Sequence, residues 1–153
     1  SHIMQIRHKA FFHALKQNGL KSDPTYAGSS YYITQCMEKH LPRLLDLGIT
    51  SIVCSHDLIA NAAMIQCQQL GYKVPDEISI IGFDDLPICA YTSPPLTTIR
   101  QERIQLGKSA YYALDSLMNQ VSIGTLLLHA KLIERGSTRE VPQTNNNIKR
   151  TGD

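Results

Sequence analysis

Residues 50–101 read TSIVCSHDLIANAAMIQCQQLGYKVPDEISIIGFDDLPICAYTSPPLTTIRQ, and this stretch decides the fold. Two short apolar runs, Thr50–Cys54 and Ile78–Phe83, have the length and composition of buried strands. Between them Leu58, Ile59, Ala62, Ala63, Cys67 and Leu70 spread an apolar surface over a helix from Ser55 to Leu70. Ser55 or Asp57 is its cap candidate. Gly71 stops the helix and Pro75 prevents its return. Strand, helix, strand with apolar strands throughout is a right-handed crossover and predicts a parallel sheet. The crossover puts two polar turns, Ser55-His56-Asp57 and Asp84-Asp85, at one sheet edge, where open α/β sheets hold ligands.

Outward from this unit the chain stays helical. Residues 5–18 form a helix with Ile6, Ala10, Phe11, Ala14 and Leu15 on one face, and Gly19 stops it. Arg7 lies in its first turn. Residues 20–30 are a connection, with a short strand near Thr25–Ala27 and Ser29 or Ser30 as the next cap. Residues 31–47 carry a full apolar stripe that Pro42 is expected to kink or restart. His40 on that stripe reads as a packing residue. Past Asp85 the segment 86–101 is extended, because Pro94-Pro95 forbids a helix. Residues 103–119 form an amphipathic helix with Gly107, Ala110, Tyr111, Leu114, Leu117 and Met118 on one side. Residues 125–135 read as a strand and 136–153 as a polar tail, disordered at its end.

Composition narrows the class of function. A chain of 153 residues is long enough for one domain with its own core. A net charge of +2 is too small for nucleic-acid binding by bulk electrostatics, and no lysine–arginine block supplies a patch. No run of 18 apolar residues is present to span a membrane. Cys36, Cys54, Cys67 and Cys89 lack metal-ligand or C-x-x-C spacing and read as small buried hydrophobes in a reducing cytoplasm. Ser1-His2-Ile3-Met4 resembles a cleaved-tag remnant and is set apart from the fold.

Asp84-Asp85 admits three readings: metal or phosphoryl chemistry, hydrogen bonding to the hydroxyls of a neutral ligand, or a capped turn. Metal chemistry wants more carboxylates than the single further candidate Asp57. No G-x-x-x-x-G-K-[ST] or G-x-G-x-x-G cofactor motif is present. Ser55, His56 and Asp57 are consecutive, whereas a nucleophilic triad converges from separate elements. No catalytic residue, metal or cofactor is predicted.

The segments I52-VCSHDLIAN, G71-YKVPDEISIIGFDDLPICAYTSPPLTTIRQ, L106-GKSAYYALDSLM and L132-IERGSTRE resemble the effector-binding region of the lactose-repressor/galactose-repressor (LacI/GalR) family. The opening R7-HKAF resembles that family's R-x-x-G-F helix start, with Ala10 at the glycine position. The likeness implies an α/β fold: a parallel sheet flanked by helices, the C-terminal lobe of a type I periplasmic-binding-protein-like core, here truncated. It implies residues 5–101 as that lobe and 102–140 as a helix and strand that return to the other lobe, with 141–153 as the tail. It implies a cytoplasmic regulator, an effector that is a sugar, a homodimer, and operator DNA bound only through an N-terminal headpiece outside this sequence. Carried over residue by residue, it assigns effector contacts to Arg7, Asp84 and His56, with Asp57 as cap and cleft organiser. Gln101 and Tyr31 are further cleft candidates. Tyr91 and the helix face bearing Leu58, Ala62 and Ile65 fall at the family's dimer contact. The rival reading is a sugar-binding protein of a transport system. Without their partner lobe, the apolar faces of 103–119 and 125–135 are expected to be exposed and to favour association.

Overall fold

The computed structural model describes residues 2–30 and 32–141. Four helices, α1 (His2–Gln17), α2 (Ile33–Asp46), α3 (Asp57–Gln69) and α4 (Arg103–Met118), accompany four strands, β1 (Ser51–Val53), β2 (Ser79–Phe83), β3 (Thr97–Arg100) and β4 (Lys131–Ile133). They form one sheet in the order β1-β2-β3-β4. β1, β2 and β3 are parallel, with Ile52 opposite Ile80 and Ile81 opposite Thr97. β4 closes the far edge antiparallel, with Thr98 opposite Ile133. The predicted crossover is present.

Its core follows from the apolar spacing. Met37, Leu41 and Leu45 of α2 pack with Ala60, Ala63, Met64 and Cys67 of α3 and with Ile78, Ile80, Cys89 and Leu96 of the sheet layer. Cys54, Cys67 and Cys89 are buried free thiols, as expected from their apolar surroundings. Burial pushes Cys54 up to about 12 and Cys67 up to about 11, so both stay protonated and inert at neutral pH.

Glycines end two helices by the same device. At the end of α1 the Leu20 amide donates to the Leu15 carbonyl and Gly19 to Lys16, with Gly19 at φ +67°. At the end of α3 Tyr72 donates to Cys67 and Gly71 to Gln68, with Gly71 at φ +88°. Both are Schellman closures, which need a residue in the left-handed region.

Several expectations are corrected. α1 begins at His2, so residues 2–4 belong to the helix and Arg7 lies in its second turn. α1 buries no residue: Ile6, Ala10, Phe11 and Ala14 of its apolar face are exposed. The segment near Thr25 is a 3-10 turn, Pro24–Tyr26, started by the Asp23 carboxylate accepting from the Thr25 amide. A proline at its first position and an aspartate before it favour that turn over a strand. Neither Ser29 nor Ser30 caps α2, whose N-cap is Tyr32, a residue whose side chain does not cap the helix amides. α2 runs through Pro42 unbroken; the carbonyl deprived of a donor belongs to exposed Glu38, where water can serve it. β1 is an edge strand, not a buried one, and Val53 is 53% exposed. The proline-rich segment contains a 3-10 turn, Pro87–Ala90, and then a true third parallel strand. Of the strand expected over 125–135 to return to the other lobe, only Lys131–Ile133 pairs, and it joins this sheet beside β3. The tail expected beyond residue 141 lies outside the described residues.

The chain after β4 is stitched into the sheet. Ser137, fully buried, donates from Oγ to the Ile80 carbonyl (2.6 Å) and accepts there from the Thr97 amide (2.8 Å). Its own carbonyl accepts from the Ile80 amide at 2.8 Å. β3 begins opposite Ile81, so Ser137 satisfies the β2 groups that β3 starts too late to reach.

Candidate functional site

The turn after β2 carries the site. Asp84 and Asp85 both have positive φ, +106° and +52°. Each such non-glycine residue costs on the order of 1–3 kcal/mol unless its surroundings hold it. Aspartate tolerates this region better than most residues, and glycine would tolerate it at no cost. Two aspartates here mean that the side chains themselves are used.

Asp84 faces outward. Its carboxylate accepts from the Gln101 side-chain amide through a short hydrogen bond. Arg7 Nη2 lies 3.5 Å from Oδ1 and His56 Nε2 3.7 Å from Oδ2. Arg7 is fixed twice more: Nη1 donates to the Ser55 carbonyl at 2.6 Å, and the guanidinium lies 3.8 Å from the centroid of the Phe83 ring. His56 caps α3, its Nδ1 accepting from the Leu58 amide at 3.1 Å. With Nδ1 accepting, a neutral imidazole carries its proton on Nε2 and points it at Asp84. Four side chains named from sequence, Arg7, His56, Asp84 and Gln101, therefore converge from α1, α3, the β2 turn and the end of β3.

Asp57 does not join them. It is 0% exposed. Oδ1 accepts from Thr98 Oγ1 at 2.5 Å and Oδ2 from the Leu86 amide at 2.7 Å. The cap of α3 is His56, so the expectation of Asp57 as cap is corrected, and its burial keeps it from a direct ligand contact. Asp57 braces the sheet against the turn instead. Gly82 makes this possible, because a Cβ there would collide with the Asp57 carboxylate. The Cys89 thiol, pushed up to about 12 by burial and by its hydrogen bond to Asp57, completes the surroundings of that carboxylate.

Asp85 turns inward and is also buried. Arg100 Nε donates to Oδ2 at 2.6 Å and Arg135 Nη2 to Oδ1 at 2.7 Å. Burial works to raise the Asp85 pKa, but the hydrogen bonds and charges of Arg135 and Arg100 hold it below the ordinary carboxylate value. Sequence reasoning missed Phe83, Arg100 and Arg135. Arg135 lies inside the L132-IERGSTRE segment that carried the family likeness, which was its one available signal. Tyr31 lies outside the described residues. His40 Nε2 donates to the Ser29 carbonyl at 3.0 Å and packs against Gly28, as a packing residue should.

Leu58 and Ile65 of α3 and Tyr91 after the Pro87–Ala90 turn are exposed, and Ala62 is half-buried and packs against the core. Among the described residues no group of three His, Cys, Asp or Glu side chains converges as a metal site, and no helix is long and apolar enough to cross a membrane.

The sequence profile of a periplasmic binding protein-like domain matches residues 1–138. The chain is 37% identical over 144 residues to the HTH-type transcriptional repressor CytR of Escherichia coli K12, covering 92% of this chain and 42% of that protein. It superposes on transcription regulator CcpA of Lactococcus lactis with TM-score 0.74 and 31% identity, over 84% of this chain and 48% of the other. The lac repressor dimer bound to operator and an anti-inducer shares the fold at TM-score 0.75 and 24% identity, over 90% and 49%. The chain spans less than half the length of the curated relative and of these two solved chains.

Proposed function

This chain belongs to the periplasmic binding protein-like domain family of the LacI-type transcriptional regulators, and from that premise we propose that Arg7, His56, Asp84 and Gln101 form one wall of its effector-binding cleft. The observation that carries the reading is the mixed character of the cluster. One carboxylate acceptor stands among guanidinium, imidazole and amide donors. Such a set pairs with both the O–H donors and the lone pairs of a hydroxyl-rich molecule. Arg7 and Asp84 offset each other's charge, which suits a neutral ligand better than a phosphorylated one. A sugar is the effector this chemistry fits.

In this reading residues 5–101 together with the returning strand β4 form the C-terminal lobe of the core, and α4 continues toward the other lobe. Effector bound between lobes shifts their closure and so changes operator affinity, a coupling between two sites. Operator contact rests with a helix-turn-helix part of a longer, cytoplasmic protein. Leu58, Ala62, Ile65 and Tyr91 form the homodimer face. The relatives named above are transcription regulators, which favours sensing over transport and binding over catalysis.

The test is a thermal-shift and calorimetric screen of neutral sugars, nucleosides and nucleobases against the full-length protein. A neutral sugar is expected to bind, and Asp84→Asn and Arg7→Met to weaken it by about tenfold or more each, since hydrogen bonds to charged groups contribute about 1.5–3 kcal/mol. The 153-residue chain alone is expected to bind the same sugar weakly and operator DNA not at all in a gel shift. Full affinity after Asp84→Asn, or specific operator binding by this chain, would falsify the assignment.

A further inference from the structure

The hydrogen bonds and ion pairs of the Asp85 carboxylate run to Arg100 and Arg135 and not to the four cleft side chains, yet we propose that these three are positioning residues for that cleft: Arg100 and Arg135, acting through Asp85, hold the 84–86 turn in the backbone state that delivers the Asp84 carboxylate to Arg7, His56 and Gln101. The proposal rests on the effector-site reading above.

Each residue of the turn is tied by a separate group. The Asp84 amide donates to the Ile99 carbonyl at 2.8 Å. The Leu86 amide donates to buried Asp57 at 2.7 Å. Between them Asp85 is held by its side chain, with a different arginine on each oxygen. The remaining backbone contacts at Asp85 are long: its amide is 3.4 Å from Thr98 Oγ1 and its carbonyl 3.5 Å from Arg103 Nη2. The carboxylate is therefore the main anchor of the middle residue. The peptide joining Asp84 to Asp85 belongs to both residues, so a rotation that frees one carboxylate redirects the other.

Residue chemistry supports the same assignment. Were only a left-handed turn required, glycine or asparagine at position 85 would serve as well. A buried carboxylate is costly unless both oxygens are paired, and here they are. Arg135 is itself made rigid: Nη1 donates to the Leu96 carbonyl at 2.8 Å and its amide donates to Thr97 Oγ1 at 2.9 Å. Arg100 reaches the other oxygen from β3, one residue before Gln101. The chain that clamps Asp85 at Arg100 thus continues directly into the Gln101 amide that donates to Asp84, and loosening the clamp should be felt at Gln101.

Nuclear magnetic resonance on the ligand-free 153-residue chain tests this. In the parent protein one Gln101 side-chain amide proton is bonded to Asp84, so the two protons of that group should be widely split. The Arg7 guanidinium should be slow to exchange. In Arg135→Gln and in Arg100→Gln the Gln101 pair is expected to collapse toward free glutamine and the Arg7 signals to exchange faster. Arg135→Lys, which keeps the charge but not the two-pronged geometry, should fall between. Arg100 has a 43% exposed side chain, so its variant reads the clamp even if Arg135→Gln does not fold. Lower urea resistance in Arg100→Gln with unchanged Gln101 and Arg7 signals would make the clamp purely structural and overturn the proposal. The readout needs no effector, so its outcome is separate from that of the sugar screen.

Discussion

Asp84 and Asp85 are adjacent and chemically identical, but their carboxylates serve opposite sides of one turn. The difference has a pH consequence. Asp85 has a depressed pKa in the folded chain, so its contribution to stability is present above the ordinary carboxylate value of about 4 and is lost as pH falls through the folded value. Urea midpoints measured from pH 6 down to pH 2 should fall at the acid end, and Asp85→Asn should flatten that fall. His56 gives a second residue-scale prediction. It caps α3 through Nδ1, so His56→Ala is expected to cost about 1 kcal/mol in urea unfolding, and His56→Asn, which can cap in the same way, much less. Of the four converging residues, His56 and Asp84 were legible as polar turns at strand ends that the crossover puts on one edge, whereas Arg7, in the second turn of α1, and Gln101 were reached through the family resemblance. The burial of Asp57 was not legible. It depends on Gly82 leaving room and Thr98 donating a bond, and both come from strands distant in sequence.

Element boundaries followed the helix stops closely, since Gly19 and Gly71 act within a single turn of chain. The failures came where an element depends on a neighbour. The short apolar run in Thr50–Cys54 signals a strand but not how well it is covered, and β1 proves to be an edge. Pro94-Pro95 signals an extended chain, but pairing of Thr97–Arg100 needs β2 alongside. Ser137 is the least legible of all, a small polar residue near a polar tail that closes a gap between two strands. Ser137→Ala leaves the Thr97 amide without its acceptor in a buried place. A loss of about 1–3 kcal/mol is expected in urea unfolding, accompanied by faster hydrogen exchange at Thr97 and Ile80.

At the scale of the molecule, the core is confined to α2, α3 and the sheet, while α1 and α4 lie largely outside it. α4 exposes Ile104, Leu106, Tyr111, Leu114, Leu117 and Met118 and buries only Ser116. This agrees with the sequence expectation that its apolar side lacks a cover. Surfaces of this kind promote association. Light scattering of the 153-residue chain should therefore report a mass above that of one copy, and Leu114→Glu with Tyr111→Glu should lower it. A monomer with unchanged mass across those variants would sink the expectation.

The late position of Arg135 and Ser137 also sets an order of events during synthesis. Arg135 closes on a carboxylate laid down 50 residues earlier, and Ser137 on a carbonyl laid down 57 residues earlier. While the ribosome is still adding α4, the turn at Asp84 already exists but lacks one of its arginines, and the start of β3 lacks its buried partner. A nascent chain therefore carries Arg7, His56, Asp84 and Gln101 before the Arg135 and Ser137 bonds around their turn can form, and an arrest before residue 135 releases a chain without those bonds.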